Sequence, residues 1–442
     1  MMPSVPNTPP ATSALNVSGE LFGREPETAL LAEALARVSQ SGKSELLLIA
    51  GGAGTGKSAL VGWLSRQAGE HDARFATGKS DQQQLDIPYA PVVQMIRSLT
   101  QSLPGEPKAT FALTRDRWLG ALAGQGRAIV ELVPEAQRVL GRTAPLSDVP
   151  AQQAQARAEA AILATFSAFA GKGTPLVLFV DDLQWADTST IALLEAFTVQ
   201  RPTNLLLIAA YRDRSDDVEQ RISWLLHTNR SDALPVTRIA LRPLTVESLT
   251  ELVAAALCEP SSRVEPLARA LHAKTAGNPF FSYQMLRALV DDGLLTRRRD
   301  GAGWEWSETE VSQRRYTDNV VDLMTRRFAK LPEAGTAVLR QLACVGIRCE
   351  AGLLARVTRL TPLQVGERLR QFIDAGLIVR EQDGYAFQHD RVLESAYAMT
   401  APTDRPAAHA RIAGVMLDHW QRELARYAFD ICNQIELAAG HD

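Results

Sequence analysis

Apolar residues along this chain recur in two alternating registers. The segment "EPETALLAEALARVSQ" sets leucines and alanines at helical spacing, after which "SGKSELLLIAGG" switches to a short unbroken apolar run that stops at glycine. The first predicts a helix, the second a strand buried on both faces. Two more such runs, "TPLVLFVDD" and "TNLLLIAAYRD", flank the helical pattern "TSTIALLEAF". Continuous apolar strands alternating with helices imply an α/β domain with a parallel sheet covered by helices, expected over 19–242. Within it the pattern over 88–170 is helical, broken by "SLPGEP" and "APLSDVP", and predicts a helical insertion packed on the core.

From Pro243 to about Leu295 the spacing stays helical, which predicts a helical lid over 243–296, and a linker over 297–324 follows. Three helical patterns ("EAGTAVLRQLACVG", "EAGLLARVT", "TPLQVGERLRQFIDAG") then lead to "LIVREQDGYAFQHD", which alternates like a hairpin turning at Asp383–Gly384. Three helices and a hairpin describe a winged helix, expected over 325–400. Residues 401–442 are helical with no closing cap, as at the start of helical repeats, and the Pro- and Ser-rich residues 1–18 are expected as a disordered tail.

Composition narrows the classes. With 442 residues, 46% hydrophobic and 22% charged, the chain can bury several cores. Its net charge of -3 gives no broad attraction for nucleic acid or anionic membrane. Cys258, Cys344, Cys349 and Cys432 lack C-x-x-C spacing, so neither a zinc site nor a disulfide framework is indicated and a reducing, cytoplasmic location fits. The opening residues lack the basic start and apolar core of a signal peptide, and no apolar run reaches membrane-spanning length, so no membrane partner is expected.

The chemistry is concentrated in "GGAGTGKS". Gly51, Gly52, Ala53, Gly54, Thr55, Gly56, Lys57 and Ser58 fit G-x-x-x-x-G-K-S, with a strand before them and a helix from Ser58-Ala59 onward. Glycines let backbone N–H groups wrap phosphates, the helix N-terminus favours the anion, Lys57 reaches the terminal phosphates and Ser58 binds Mg²⁺. ATP or ADP with Mg²⁺ is the implied ligand. Asp181 and Asp182 close "PLVLFVDD": Asp181 is read as the holder of the Mg²⁺ water shell, Asp182 as the group that orients or deprotonates the attacking water. Trp185 reads as packing and Asp187 or Thr188 as the cap of the next helix. Arg212 ends a strand at the same sheet edge and could stabilise γ-phosphate charge, with Arg214 a neighbour that could substitute.

"LFGREPE", "GGAGTGKS", "DIPYAP", "PLVLFVDDLQWAD", "LLLIAAYRD", "KTAGNPFF", "DNVVDLM", "YAFQHDRV" and "FDICNQ" occur in the order seen in STAND signal-transduction ATPases of the AAA+ class. From about Gly19 onward the chain resembles the ATPase domain of bacterial multidomain serine/threonine kinase and sensor histidine kinase proteins. The resemblance implies that Phe22, Gly23 and Arg24 lie against adenine and that the turn Gly277-Asn278-Pro279 contacts the base. The residues alone read Gly277 as a helix C-cap and Pro279 as a breaker. It also implies a slow ATPase switch, closed with ADP and opened with ATP for self-association or engagement of a protein partner. "FDICNQIELAAG" departs from the family pattern at Gln434 and Glu436.

His389-Asp390 is the remaining pair. A metal site would need further ligands, and His409 and His419 lack partner carboxylates at suitable spacing. Asp390 precedes a helix and reads as its cap. By resemblance, His389 reaches the β-phosphate of ADP. Two other functions compete with the switch. A DNA-binding winged helix would use Arg368 and Arg370, but Glu367 and Asp374 share that helix, so DNA is a poor match. A constitutive AAA+ motor needs an arginine supplied in trans, for which no candidate is evident.

Overall fold

The structure, a computed structural model, describes residues 15, 20–69, 72–80, 87–147, 149–213, 234–298, 303–313, 323–325, 328, 331–381, 383–388, 390–421 and 424–440. The chain divides into two compact units. The larger takes Arg24–Arg242 and Ala337–Asp442, the smaller Pro243–Thr336 with the residues up to Gly23.

In the larger unit, β1 (Glu45–Gly51), β2 (Arg74–Lys79), β3 (Leu176–Asp181), β4 (Leu205–Tyr211) and β5 (Val236–Leu241) form one parallel sheet in the order β2-β3-β4-β1-β5. Every residue of β1, β3 and β4 is buried, as expected of central strands covered on both faces. The apolar pattern missed β2 and β5. These edge strands, "RFATGK" and "VTRIAL", leave part of their length exposed and need no continuous apolar run.

Helices α1 (Glu25–Ser41) and α2 (Lys57–Ala68) flank β1, and α3 (Ala90–Ser102), α4 (Lys108–Leu122), α5 (Gly126–Leu132), α6 (Gln137–Leu140) and α7 (Ala151–Phe169) lie between β2 and β3 in sequence. This insertion shares one apolar cluster with the sheet, which takes in Trp118 and Phe169 together with Leu46 and Leu178 of the strands. Trp118 is fully buried because its indole N–H has a partner, Thr165 Oγ1 at 2.9 Å. Arg74 ties the insertion to β2 by forking onto Glu106 at 3.0 and 2.8 Å and donating to the Phe169 carbonyl at 2.7 Å. Helix α8 (Thr188–Gln200) then leads from β3 to β4.

The smaller unit holds α9 (Val246–Leu257), α10 (Ser261–Thr275), α11 (Pro279–Asp291), the hairpin β6 (Leu295–Arg297) with β7 (Trp304–Trp306), and α12 (Glu308–Gln313). Trp304 and Val311 are buried in the same cluster as Leu249, Leu271 and Met285. The stretch expected as a linker over 297–324 therefore supplies core residues.

The larger unit resumes at Ala337, within α13 (Glu333–Val345), and continues with β8 (Arg348–Glu350), α14 (Ala351–Thr358), α15 (Pro362–Asp374), β9 (Ile378–Arg380), β10 (Gly384–Phe387), α16 (Asp390–Ala398), α17 (Arg405–His419) and α18 (Leu424–Ala438). β8 joins the expected hairpin as a third antiparallel strand, in the order β8-β10-β9. Gly384 sits inside β10 rather than in the turn, and the reason is steric: a Cβ there would stand 2.1 Å from the Cys349 carbonyl oxygen. Thr361 and Gln364 close α15 with a reciprocal capping box. Gln434, where the family pattern is not followed, is buried; its amide accepts from His409 Nδ1 at 2.8 Å and donates to the Cys344 and Val345 carbonyls at 3.2 Å each. Among the described residues no helix is long and apolar enough to cross a membrane.

Candidate nucleotide site

Four strand ends meet at the carboxyl edge of the sheet. Gly51 closes β1, Lys79 closes β2, Asp181 closes β3, and Arg212 directly follows β4. The register pairs Lys79 with Asp181 and Ala50 with Tyr211, so these ends lie level. Parallel α/β sheets bind ligands at this edge.

The loop from Gly51 to Ser58 leaves β1 and enters α2 at Lys57. Gly54 and Gly56 take φ of +76° and +99°, a region that L side chains occupy only with strain, which keeps the loop's N–H groups available to a ligand. Gly51 is constrained by space instead, since a Cβ would lie 2.8 Å from Thr55 Oγ1. Ala53 lies in the turn and Ala59 in the first turn of α2, at the helix N-terminus. Lys57 is buried at 7% exposure, and its ammonium donates to the carbonyls of Gly51 at 2.9 Å and Gly52 at 3.0 Å. Thr55 Oγ1 donates to the same Gly52 carbonyl at 2.9 Å.

Asp181 links the loop to β3. Its Oδ2 accepts from Ser58 Oγ at 2.7 Å and its Oδ1 from the Asp182 N–H at 3.0 Å. Asp182 turns sharply, with φ of +53°, into the short 3₁₀ segment Leu183–Trp185. Non-glycine residues held in this conformation cost about 1 kcal/mol or more and concentrate at functional sites. Both Asp182 oxygens are engaged: Oδ1 accepts from Gln184 Nε2 at 2.7 Å, and Oδ2 pairs with the Lys79 ammonium at 3.0 Å. Gln184 Oε1 in turn accepts from the Arg212 N–H at 3.1 Å, joining the ends of β3 and β4. Arg212 itself is half-buried. Sequence reasoning missed Lys79 and Gln184. Lys79 ends a strand with no apolar run to announce it, whereas Gln184 stands two residues past Asp182 in "DDLQW", a spacing that could have flagged it.

Asp187 caps α8: its carboxylate accepts from the Thr190 N–H at 2.9 Å and from the Tyr89 N–H at 3.2 Å. Trp185 is half-buried. Arg24 is buried, and its guanidinium donates to the Thr55 carbonyl at 3.1 Å and the Arg242 carbonyl at 2.7 Å, bracing the phosphate loop against the end of β5. Burial lowers the Arg24 pKa from its ordinary value, and Glu27 at 3.6 Å opposes that shift.

Phe22, Gly23 and Pro279 belong to the smaller unit. Phe22 is half-buried. Gly23 has φ of +60° and packs where a Cβ would meet Ser248 Oγ at 2.1 Å. Pro279 starts α11 rather than breaking a helix, at the first position where its missing N–H costs nothing, and Asn278 caps that helix by accepting from the Phe281 N–H at 3.0 Å. The C-cap of α10 is Ala276, and Gly277 follows it with φ of +73°, its carbonyl accepting from the Leu244 N–H at 2.8 Å. His389 and Arg214 lie outside the described residues; Asp390 opens α16.

The family model for the AAA ATPase domain matches residues 20–208, the span from the "LFGRE" segment to β4. That segment is similar to AAA ATPase domains. Over 430 residues, covering 83% of this chain, the sequence is 24% identical to the hybrid signal transduction histidine kinase G of Dictyostelium discoideum, of whose length the match spans 12%. The fold is similar to the crystal structure of a STAND protein with a tetratricopeptide repeat sensor from Pyrococcus horikoshii, with a TM-score of 0.52 at 15% identity, covering 96% of this chain and 50% of that one. The chain thus spans half of that solved relative and a small part of the kinase. The edge that carries Lys57, Ser58 and Asp181 lies inside the segment that the family model matches.

Proposed function

We propose that this chain is a regulatory nucleotide switch: a slow ATPase that closes with ADP and opens with ATP to self-associate or to engage a protein partner. The observation that carries the reading is the 2.7 Å bond between Ser58 and Asp181, which joins the phosphate loop to the acid at the end of β3. Two hard oxygen donors at that separation fit Mg²⁺, with Ser58 as ligand and Asp181 holding the ion's water shell. When bound, the ion neutralises developing charge on the phosphoryl oxygens. Lys57 leaves the loop carbonyls for the terminal phosphates, the loop N–H groups from Gly51 to Ala59 hold their oxygens, and Arg212 stabilises the γ-phosphate.

Asp182 takes the water-orienting role. Its two oxygens each hold one protein donor, Gln184 and Lys79, which fix the carboxylate while each oxygen can still accept a second hydrogen bond from water. Phe22, Gly23, Arg24 and Pro279 keep the base-contacting role that the resemblance implies, with Arg24 acting through its backbone while its guanidinium holds the Thr55 and Arg242 carbonyls. His389 keeps the role of ADP sensor.

The test is nucleotide binding and single-turnover hydrolysis on the purified chain and three variants. Lys57→Ala should lose nucleotide binding. Asp182→Asn should bind ATP and Mg²⁺ but hydrolyse at least about a hundredfold more slowly. His389→Ala should release ADP about tenfold faster, the value of one charge-assisted hydrogen bond. Gel filtration with ADP and with a non-hydrolysable ATP analogue reads the switch, and identical profiles together with fast turnover would favour the motor reading.

A further inference from the structure

Lys79 closes β2, a strand at the edge of the parallel sheet. On its inner side β2 pairs with β3 along its whole length, from Arg74 with Leu176 to Lys79 with Asp181, and the Ser80 N–H continues the ladder by donating to the Asp181 carbonyl at 3.0 Å. On its outer side the sheet ends, and a side chain takes the place of a strand. Gln94 of α3 accepts from the Lys79 N–H at 3.0 Å through Oε1 and donates to the Lys79 carbonyl at 3.2 Å through Nε2. Both ends of one amide thus serve the backbone of a single residue, which is held from two sides as in a central strand.

The side chain of Lys79 goes to Asp182. Its ammonium lies 3.0 Å from Oδ2, and the two side chains are 20% and 8% exposed. Lysine is among the residues least often withdrawn from water, and such a pair repays its desolvation only where the geometry is good. A pair that served only to join β2 to β3 would repeat what the ladder already does. What the ladder leaves unset is the Asp182 carboxylate, which lies past the end of β3 on a residue with φ of +53°. The last torsion of an aspartate is broad, so one donor alone would let the group turn. Here Gln184 Nε2 holds Oδ1 at 2.7 Å and Lys79 holds Oδ2, and two donors from different elements fix the plane of the carboxylate.

We infer that Lys79 is a positioning residue for ATP hydrolysis: it acts through Asp182, setting the direction in which that carboxylate presents its remaining lone pairs to the attacking water. This rests on the water-orienting role of Asp182 proposed above. Lys57 and Lys79 then divide the work at the sheet edge, the first serving the binding of phosphates and the second the rate of turnover. Such orientation acts steeply on rate, since a misplacement on the order of 1 Å costs about a hundredfold. Gln94 belongs to the same device one step further out, because it fixes the backbone from which the Lys79 arm starts.

The experiment is single-turnover ATP hydrolysis by the full chain with Mg²⁺, read as the maximal rate and the ATP concentration that gives half of it. The variants are Lys79→Met, Lys79→Gln, Lys79→Arg, Asp182→Asn and Lys79→Met combined with Asp182→Asn. Rates are taken per nucleotide-binding site, so that misfolded protein does not count. Lys79→Met and Lys79→Gln should each lower the maximal rate about tenfold or more and leave the half-saturating ATP concentration within about twofold, as for an interaction used only in turnover. Lys79→Arg, which keeps a charged donor, should recover most of that loss. On top of Asp182→Asn, Lys79→Met should change the rate by less than about twofold, because the two residues act as one unit. A slow Asp182→Asn beside neutral Lys79 variants that hydrolyse at the unmodified rate would overturn this inference and leave the reading of Asp182 standing, whereas an unmodified rate in Asp182→Asn would overturn both. A raised half-saturating concentration in Lys79→Met, or its full loss of rate added to that of Asp182→Asn, would put the ammonium on the nucleotide itself and overturn the inference as well.

Discussion

Glycine positions show how single residues carry this fold. Gly54 and Gly56 are needed for backbone angles, but Gly384 is needed for room: β10 passes β8 so closely that any Cβ would stand 2.1 Å from the Cys349 carbonyl oxygen. Gly384→Ala should therefore push β8 off the sheet and cost about 1–3 kcal/mol, as overpacking against unyielding backbone does. Chemical denaturation of the variant checks this, and an unchanged midpoint would mean that β8 contributes nothing to stability. At the same scale Lys57, Ser58 and Asp181 were legible because each announces itself by type and neighbourhood: a lysine and a hydroxyl in a glycine loop, and an acid closing an apolar run. Lys79 was not. Its meaning comes from lying beside Asp181 across two strands, a relation that neighbouring residues in sequence do not encode.

Among elements, the central strands were readable and the edge strands were not, for one reason. Burial on both faces forces β1, β3 and β4 to be apolar throughout, whereas β2 and β5 tolerate polar and exposed positions. The insertion between β2 and β3 is helical and is part of the sheet's own core: Trp118 is fully buried, bonded to Thr165 and set edge-on to Phe169 at 5.1 Å. Trp118→Ala should cost about 3–5 kcal/mol. If the insertion is integral, thermal unfolding of the variant stays one cooperative transition at lower temperature. An early separate transition for α3–α7, with the sheet melting as before, would contradict a shared core.

For the molecule as a whole, cysteine chemistry offers a compact check. Cys258 and Cys432 are exposed, and Cys344 and Cys349 are buried, with burial raising both thiol pKa values. Burial likewise raises the Tyr89 phenol, with Glu159 adding to the effect. In a thiol titration two of the four should react at once and two only on unfolding. The sign for stability follows from the same shifts: above the ordinary thiol pKa of about 8.5 the unfolded chain loses these protons while the folded chain keeps them. Stability should then fall as pH rises past that value, by up to about 1.4 kcal/mol per pH unit for each buried thiol, and be unaffected by these groups below it. Denaturation midpoints between neutral and alkaline pH check this.

The phosphate loop, its lysine and serine, the acid ending β3 and the α/β class were determined by sequence alone, because each rests on residue type within a few positions or on burial that the whole strand must satisfy. Tertiary structure decided the rest. The engagement of Asp182 by Lys79 and Gln184, the bracing of the loop by Arg24, and the inclusion of Trp304 and Val311 in a core all depend on tertiary packing. Such pairings depend on strand order and helix packing, and a linear pattern carries no record of which distant side chains those will bring together.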